Sequence, residues 1–151
     1  EIRGPSVFGR YWLMPEKNKE EFRDGYFITG DVGRRDPDGR VYISGRAKDL
    51  IISGGYNVYP KEIESLIDEL PGVEETAVVG LPHPDFGEGV TAFIVKTKDA
   101  AITEDAVLRA LANLARFKHP KRVLFVEQLP RNTMGKVQKS AMRESFKTLY
   151  S

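Results

Sequence analysis

Seven residues late in the chain, Pro130-Arg131-Asn132-Thr133-Met134-Gly135-Lys136, set a mobile ammonium beside a glycine. Gly135 permits unusual backbone angles and close approach, so Lys136 can reach outward from such a loop. An ammonium aimed at a phosphoryl group stabilises the charge that develops during its transfer. The same residues also suit a plain basic loop leading into a helix. Gly45-Arg46-Ala47-Lys48-Asp49 carries two different cations. Arg46 offers a rigid donor fork for phosphate or ribose, and Lys48 a flexible point charge; an exposed turn ion-paired to Asp49 is the alternative. At Thr29-Gly30-Asp31, a carboxylate can accept two hydrogen bonds from a vicinal diol such as ribose. On spacing alone, an aspartate capping its own turn is the better reading there. Ser53-Gly54-Gly55 reads as a tight turn and nothing more.

Much other chemistry is excluded. The 151 residues contain no cysteine and two histidines, which rules out disulfides, thiolate zinc sites and a cysteine nucleophile. Only His83 and His119 could supply imidazole, so a metal cluster or a serine–histidine hydrolase is hard to assemble. The net charge of +1 gives no global attraction to nucleic acid or membranes, and no apolar run approaches the ~20 residues of a membrane span. Absence of cysteine fits a reducing compartment, and the expected location is the cytoplasm, or the mitochondrial matrix in a eukaryote. The start, EIRGPSVFGRYW, has no initiator Met and no signal-peptide pattern; it reads as the middle of a longer protein or as the product of leader removal.

The elements that must hold these loops follow from periodicity. Pro15 to Arg23 suggests a short helix, and Phe27 to Val32 with Arg40 to Ile43 a β-hairpin about Asp36-Pro37-Asp38-Gly39. Asp49 to Ile52 and Tyr56 to Tyr59 flank the glycine turn. Pro60 suits a first helical position, and Ile63, Leu66, Ile67 and Leu70 follow at helical spacing until Pro71-Gly72. Thr76 to Val79 and Val90 to Val95 are strand-like, with Leu81 to Gly89 expected as a loop. Thr103 is the expected cap of a helix bearing Val107, Leu108, Leu111 and Leu114. Arg122 to Val126 is a further strand, and Met142, Phe146 and Leu149 mark a last helix. From Asp49 onward this order predicts an α+β domain of about a hundred residues, with a boundary at Gly45–Asp49.

Charge is distributed unevenly. Six acidic residues and no basic one lie between Glu62 and Glu75, whereas Arg116 to Ser151 holds nine Lys or Arg against Glu127 and Glu144. Residue by residue these are solvated faces. As a block, the basic tail suggests a polyanionic ligand, nucleotide or nucleic acid.

Taken in order, GYFITGD, GRAKDLIISGGYNVYPKEIE and PRNTMGKVQK resemble three successive signatures of the AMP-forming (adenylate-forming) acyl-CoA synthetase family, with HPDFGEGV and FKHPKRVLF similar to its intervening segments. The likeness spans essentially the whole chain, and three ordered motifs are far more specific than any one. In detail, GGYNVYPKEIE, HPDFGEGV and PRNTMGKVQK are most similar to the malonate-activating members.

The resemblance implies an α+β C-terminal mobile domain over residues 48–151, with a short β-hairpin and a three-stranded sheet packed with helices. It is preceded at 1–47 by the β-rich end of a large N-terminal adenylation domain. It implies ATP, CoA and a carboxylate such as malonate as ligands, with acyl-adenylate formed first and the thioester second. Lys136 would be the catalytic lysine, bridging the α-phosphate and the attacking carboxylate. Asp31 would hold the ribose hydroxyls and Arg46 the same region of ATP or AMP. Lys48 would be the hinge, about which Ser53, Gly54 and Gly55 swing in to line the pantetheine tunnel. Phe86, Phe117, His119 and Lys121 match the side that meets the CoA nucleotide, although His119 stands where arginine is common. The phosphate loop, the acyl pocket and the Mg2+ ligands are expected in the large domain, so these residues alone should not turn over. Lys136 is also a candidate substrate for a lysine acetyltransferase. Loading of a carrier-protein thiol is the nearest alternative, and a basic nucleic-acid-binding module the distant one.

Overall fold

Asp24-Gly25 has the turn chemistry that a two-residue hairpin demands, and both residues adopt positive φ, 50° and 78°. In the computed structural model, which describes residues 1–151, they join strands β1 (Phe22–Arg23) and β2 (Tyr26–Phe27). Helix α1 (Pro15–Glu21) precedes them with Pro15 in its first turn. Strands β3 (Asp31–Arg35) and β4 (Val41–Arg46) form a hairpin about the expected turn, but its first strand starts at Asp31 rather than Phe27, which pairs in β2; the Asp36 carboxylate accepts the Arg40 N–H at 2.8 Å. Phe8, Tyr11, Phe22 and Phe27 cluster, with Phe8 edge-on to Tyr11 and Phe22 and tilted to Phe27. Every buried apolar side chain of the chain nevertheless lies from Ile51 onward. Residues Glu1–Lys48 form one compact unit and Asp49–Ser151 another.

The second unit has a true core. Strands β5 (Ile51–Ser53) and β6 (Tyr56–Val58) pair about the glycine turn. Helix α2 (Pro60–Asp68) starts on Pro60 and buries Ile63 and Ile67. Strands β7 (Val73–His83) and β8 (Gly87–Lys96) form a long antiparallel pair. Helix α3 (Glu104–Ala110) is capped by the Thr103 hydroxyl, which accepts the Ala106 N–H. It crosses to β9 (Arg122–Val126), which runs parallel to β8, and α4 (Lys139–Ser145) closes the unit.

Helices α3 and α4 stop at Ala110 and Ser145, short of the expected helical residues Leu111, Leu114, Phe146 and Leu149, and two expectations about the sheet are also corrected. The residues from Leu81 to Gly89 are not a nine-residue loop: β7 and β8 continue through them, leaving Pro84, Asp85 and Phe86 as the turn. Pro82 is tolerated because β7 is the outer strand, so its missing N–H need not serve the ladder. The hairpin and the three-stranded sheet are also one five-stranded sheet, since Ser53 pairs with Gly87 and extends the β8 edge beyond β9.

Side chains of the sheet alternate between two cores, as period-two geometry requires. Val78, Val90, Ala92, Ile94 and Val123 pack with α2 and α3 on one face. Ala77, Val79, Leu81, Phe93 and Val95 pack with Leu129 and Met142 on the other. β8 is buried continuously from Gly89 to Val95, which explains its unbroken apolar character. No helix is long and apolar enough to cross a membrane.

Candidate active site

In the first unit, β3 and β4 place Asp31 opposite Arg46 in register, with Arg46 Nε 3.2 Å from Asp31 Oδ1. The turn there is not capped by Asp31. The Thr29 hydroxyl accepts the Asp31 N–H at 3.1 Å, so the carboxylate is directed to the arginine. Nor does Arg46 pair with Asp49, whose Oδ1 instead takes Arg143 at 3.4 Å in the second unit. A carboxylate and a guanidinium side by side, both partly open to solvent, can together hold a polar ligand bearing hydroxyls. Lys48 is exposed in a 3-10 turn at the division between the units.

The Lys136 loop is built from its own side chains. Asn132 Oδ1 accepts the backbone N–H of Met134 at 3.0 Å and of Lys136 at 2.9 Å. Gly135, at φ 76°, donates to the Asn132 carbonyl, and Asn132 N–H donates to the Lys136 carbonyl. A left-handed turn of this kind strains residues that carry a Cβ, which accounts for the glycine. Arg131 donates one nitrogen to the Gly135 carbonyl at 2.6 Å and the other to the Glu75 carboxylate. Lys136 itself is exposed and has no ion-pair partner. A cation thus stands on a tightly closed loop with nothing in this chain to neutralise it.

The glycine turn lies near the far end of the sheet. Gly54 and Gly55 have φ of 57° and 82°, and Gly54 N–H donates to the Phe86 carbonyl at 2.9 Å. Lys121 extends its ammonium over the Phe86 ring, 4.4 Å from the centroid. Ser53, Gly54, Gly55, Phe86 and Lys121 therefore form one neighbourhood. Phe117 stacks on Tyr56 at 4.5 Å and 19°, directly after the glycines. Tyr56 was not singled out from sequence, although its place in GGYNVYP was the available signal. His119 is partly buried and its Nε2 lies 3.0 Å from the Leu114 carbonyl, so one ring nitrogen is committed to the backbone. His83 packs between Phe86 and Tyr150, and its Nδ1 accepts the Asp85 N–H. That is a structural placement.

Glu75, which holds the Lys136 loop, and His83, beside the turn that meets Gly54, are eight residues apart along β7, roughly 26 Å at about 3.3 Å per residue. One rigid sheet therefore carries two polar stations toward opposite ends. Three of the nine cations of the basic block are answered by the acidic block: Lys118 pairs with Glu62, Lys139 with Glu64 and Arg131 with Glu75. The charge asymmetry seen along the sequence is thus partly folded against itself. No group of three or more His, Cys, Asp or Glu side chains could hold a metal ion.

Residues 62–136 match the AMP-binding enzyme C-terminal domain. The chain is 44% identical over 145 residues to the long-chain-fatty-acid–CoA ligase FadD13 of Mycobacterium tuberculosis, covering 96% of this chain and 29% of that protein. It is 47% identical over 141 residues to the sulfoacetate–CoA ligase of Cupriavidus necator, covering 91% and 28%. Among solved structures, ATP-bound MatB from Rhodopseudomonas palustris superposes with a TM-score of 0.86 at 62% identity, over 99% of this chain and 30% of that one. The chain thus spans under a third of the length of the relatives it matches. An α+β domain with an unneutralised lysine on a glycine loop, matched along nearly its whole length by CoA ligases, belongs to the AMP-binding enzymes and carries their C-terminal domain.

Proposed function

We propose that this chain is the C-terminal portion of an AMP-forming acyl-CoA synthetase that activates a carboxylate with ATP and passes the acyl group to CoA. The observation that carries the reading is Lys136, an exposed, unpaired cation fixed at the tip of the Asn132–Lys136 turn. In the first half-reaction Lys136 lies between the carboxylate and the α-phosphate and offsets the repulsion of two anions brought together. Asp31 and Arg46 hold the ribose region of the nucleotide. Mg2+ supplies further charge neutralisation when bound, with its ligands in the large domain.

In the second half-reaction the glycine turn replaces the Lys136 loop. Gly54 and Gly55 leave room for a narrow chain such as pantetheine, and buried Ser53 anchors the turn to β8. Phe86, Phe117 and Lys121, with His119 near them, present aromatic faces and a cation to the CoA nucleotide. Lys48 is assigned as the hinge from the resemblance of GRAKD to the family's hinge segment, and turning about it would let one body present each station in its time. Malonate is the carboxylate read from the motif detail, and the enzyme is placed in the cytoplasm, which cell fractionation checks.

The test is malonate-dependent ATP–pyrophosphate exchange in the full-length enzyme, wild type beside Lys136→Ala. Exchange that disappears in a folded variant is expected; exchange that survives overturns the assignment of Lys136. Wild-type exchange with other acids but not malonate removes malonate alone. A product that forms only with a carrier-protein thiol, and not with free CoA, replaces the acceptor. Acylation of Lys136 by a lysine acetyltransferase removes its charge; intact mass should rise and exchange fall together, and unchanged mass rejects that form of control.

A further inference from the structure

The acidic block from Glu62 to Glu75 has no part in the reaction proposed above, yet two of its carboxylates grip both ends of the loop that carries Lys136. Before the loop, Arg131 spans the Glu75 carboxylate on β7 and the carbonyl of Gly135, the residue next to Lys136. After the loop, Lys139 at the start of α4 donates to Glu64 Oε1 at 2.6 Å. Glu64 is 8% exposed, and the same oxygen accepts the Val78 N–H of β7 at 2.8 Å. Between these anchors, Gln138 N–H donates to the Pro130 carbonyl at 2.7 Å, and Arg131 and Val137 are bridged. The loop is thus fastened at one end to the outer strand β7 through Glu75 and at the other to helix α2 through Glu64, by charge-assisted bonds to residues 56 and 75 positions away.

We infer that Glu75 and Glu64 are positioning residues for adenylate formation, acting on Lys136 through Arg131 and Lys139. This rests on the assignment of Lys136 above. Neither carboxylate needs to touch substrate. A loop fastened only by its own turn would let the Lys136 ammonium wander by an ångström or more, and a displacement of that size costs about a hundredfold in rate. Arg131 is the critical link, because its planar fork donates to two acceptors at once. A lysine at that position keeps the charge but cannot span both. The two anchors also differ. Glu64 is buried and shared with β7, so its loss disturbs the core, whereas Glu75 and Arg131 are partly exposed and can be altered without opening it.

The experiment follows the two half-reactions separately in the full-length enzyme, for Glu75→Ala, Arg131→Lys and Glu75→Gln, with Lys136→Ala as reference. ATP–pyrophosphate exchange reports adenylate formation, and thioester formation from supplied acyl-adenylate reports the second step. Glu75→Ala and Arg131→Lys are expected to lose about ten- to a hundredfold in exchange while keeping the second step. Glu75→Gln, which retains an acceptor for Arg131, should recover most of the exchange. Equal losses in both steps would mean a merely structural role and overturn the inference, as would unaltered exchange. If Lys136→Ala itself retains exchange, the assignment of Lys136 fails and takes this inference with it. If Lys136→Ala loses exchange and the Glu75 and Arg131 variants do not, only the positioning role fails.

Discussion

Asp31 and Arg46 face each other across the β3–β4 hairpin, 3.2 Å apart, although they are separated by the whole length of its turn. The pair is open to solvent, Arg46 by 55% and Asp31 by 29% of the side chain, so it adds little to folding, about 0–1 kcal/mol. Its loss should appear in binding instead. Asp31→Ala in the full-length enzyme is expected to raise the KM for ATP by about tenfold with an unchanged melting temperature. A melting temperature that falls while KM holds would mark the pair as a structural one.

Gly55→Ala separates backbone conformation from space. No atom lies within 4 Å of a Cβ built on Gly55, yet its φ is 82°, a left-handed angle costing about 1–2 kcal/mol for an L side chain. The variant should lose about that much stability in denaturant titration. It should slow thioester formation while leaving pyrophosphate exchange intact, because the glycine turn lies far from Lys136. Equal slowing of both steps would place the turn outside the thioester step.

Tyr150 predicts a pH dependence. Its hydroxyl lies 2.9 Å from the Thr91 hydroxyl, and its ring lies where a Cβ on Gly89 would come within 2.8 Å. Burial pushes the phenol above its ordinary value of 10.0, outweighing the Thr91 hydrogen bond and the Arg122 charge that pull it down. A phenol harder to ionise when folded contributes stability that is complete below the unfolded pKa and disappears as pH rises through the folded one. Stability should therefore fall above about pH 10, and less steeply in Tyr150→Phe. Tyr11, raised by its hydrogen bond to Glu21, contributes in the same range and leaves a residual slope. Identical alkaline slopes for variant and wild type would contradict the burial of Tyr150.

Met142→Ala empties part of the α4 face. Met142 is 2% exposed and packs in the core with Phe93, Val95 and Leu129. Truncation there costs about 2–5 kcal/mol, read as a lower denaturant midpoint. Since α4 begins three residues after Lys136, exchange should weaken more than thioester formation at a temperature where the variant is still folded. A midpoint equal to wild type would show that α4 is not seated as described.

Local signals carried the starts of the helices better than their ends, since apolar spacing runs on past Ala110 and Ser145 into turns. Pro60 with Ile63 and Ile67 marks α2, and Thr103 with Val107 marks α3, because caps and helical spacing are read within a few residues. The extension of β7 and β8 was hidden by Pro82, Pro84 and three glycines, whose turn character was overridden by an outer strand needing no N–H at Pro82. The three motif loops were legible as candidates, and Lys136 most of all. What held them was not. Arg131–Glu75 and Lys139–Glu64 join residues 56 and 75 positions apart, and no periodicity in the chain encodes such a meeting. The acidic and basic blocks were visible as an imbalance, but their being each other's partners is a property of the fold.

The two cores close at different points along the chain. Every buried member of the α2–α3 core lies between Ile51 and Val123, whereas the other core waits for Leu129 and Met142. Along the sequence, one face of the sheet has all its buried partners by Val123, whereas Ala77, Val79, Leu81 and Phe93 on the other depend on Leu129 and Met142. The loop that carries Lys136 lies between those last two residues and is moored to carboxylates more than fifty positions earlier, so a chain cut short before Lys139 would lose both a core face and an anchor of the loop.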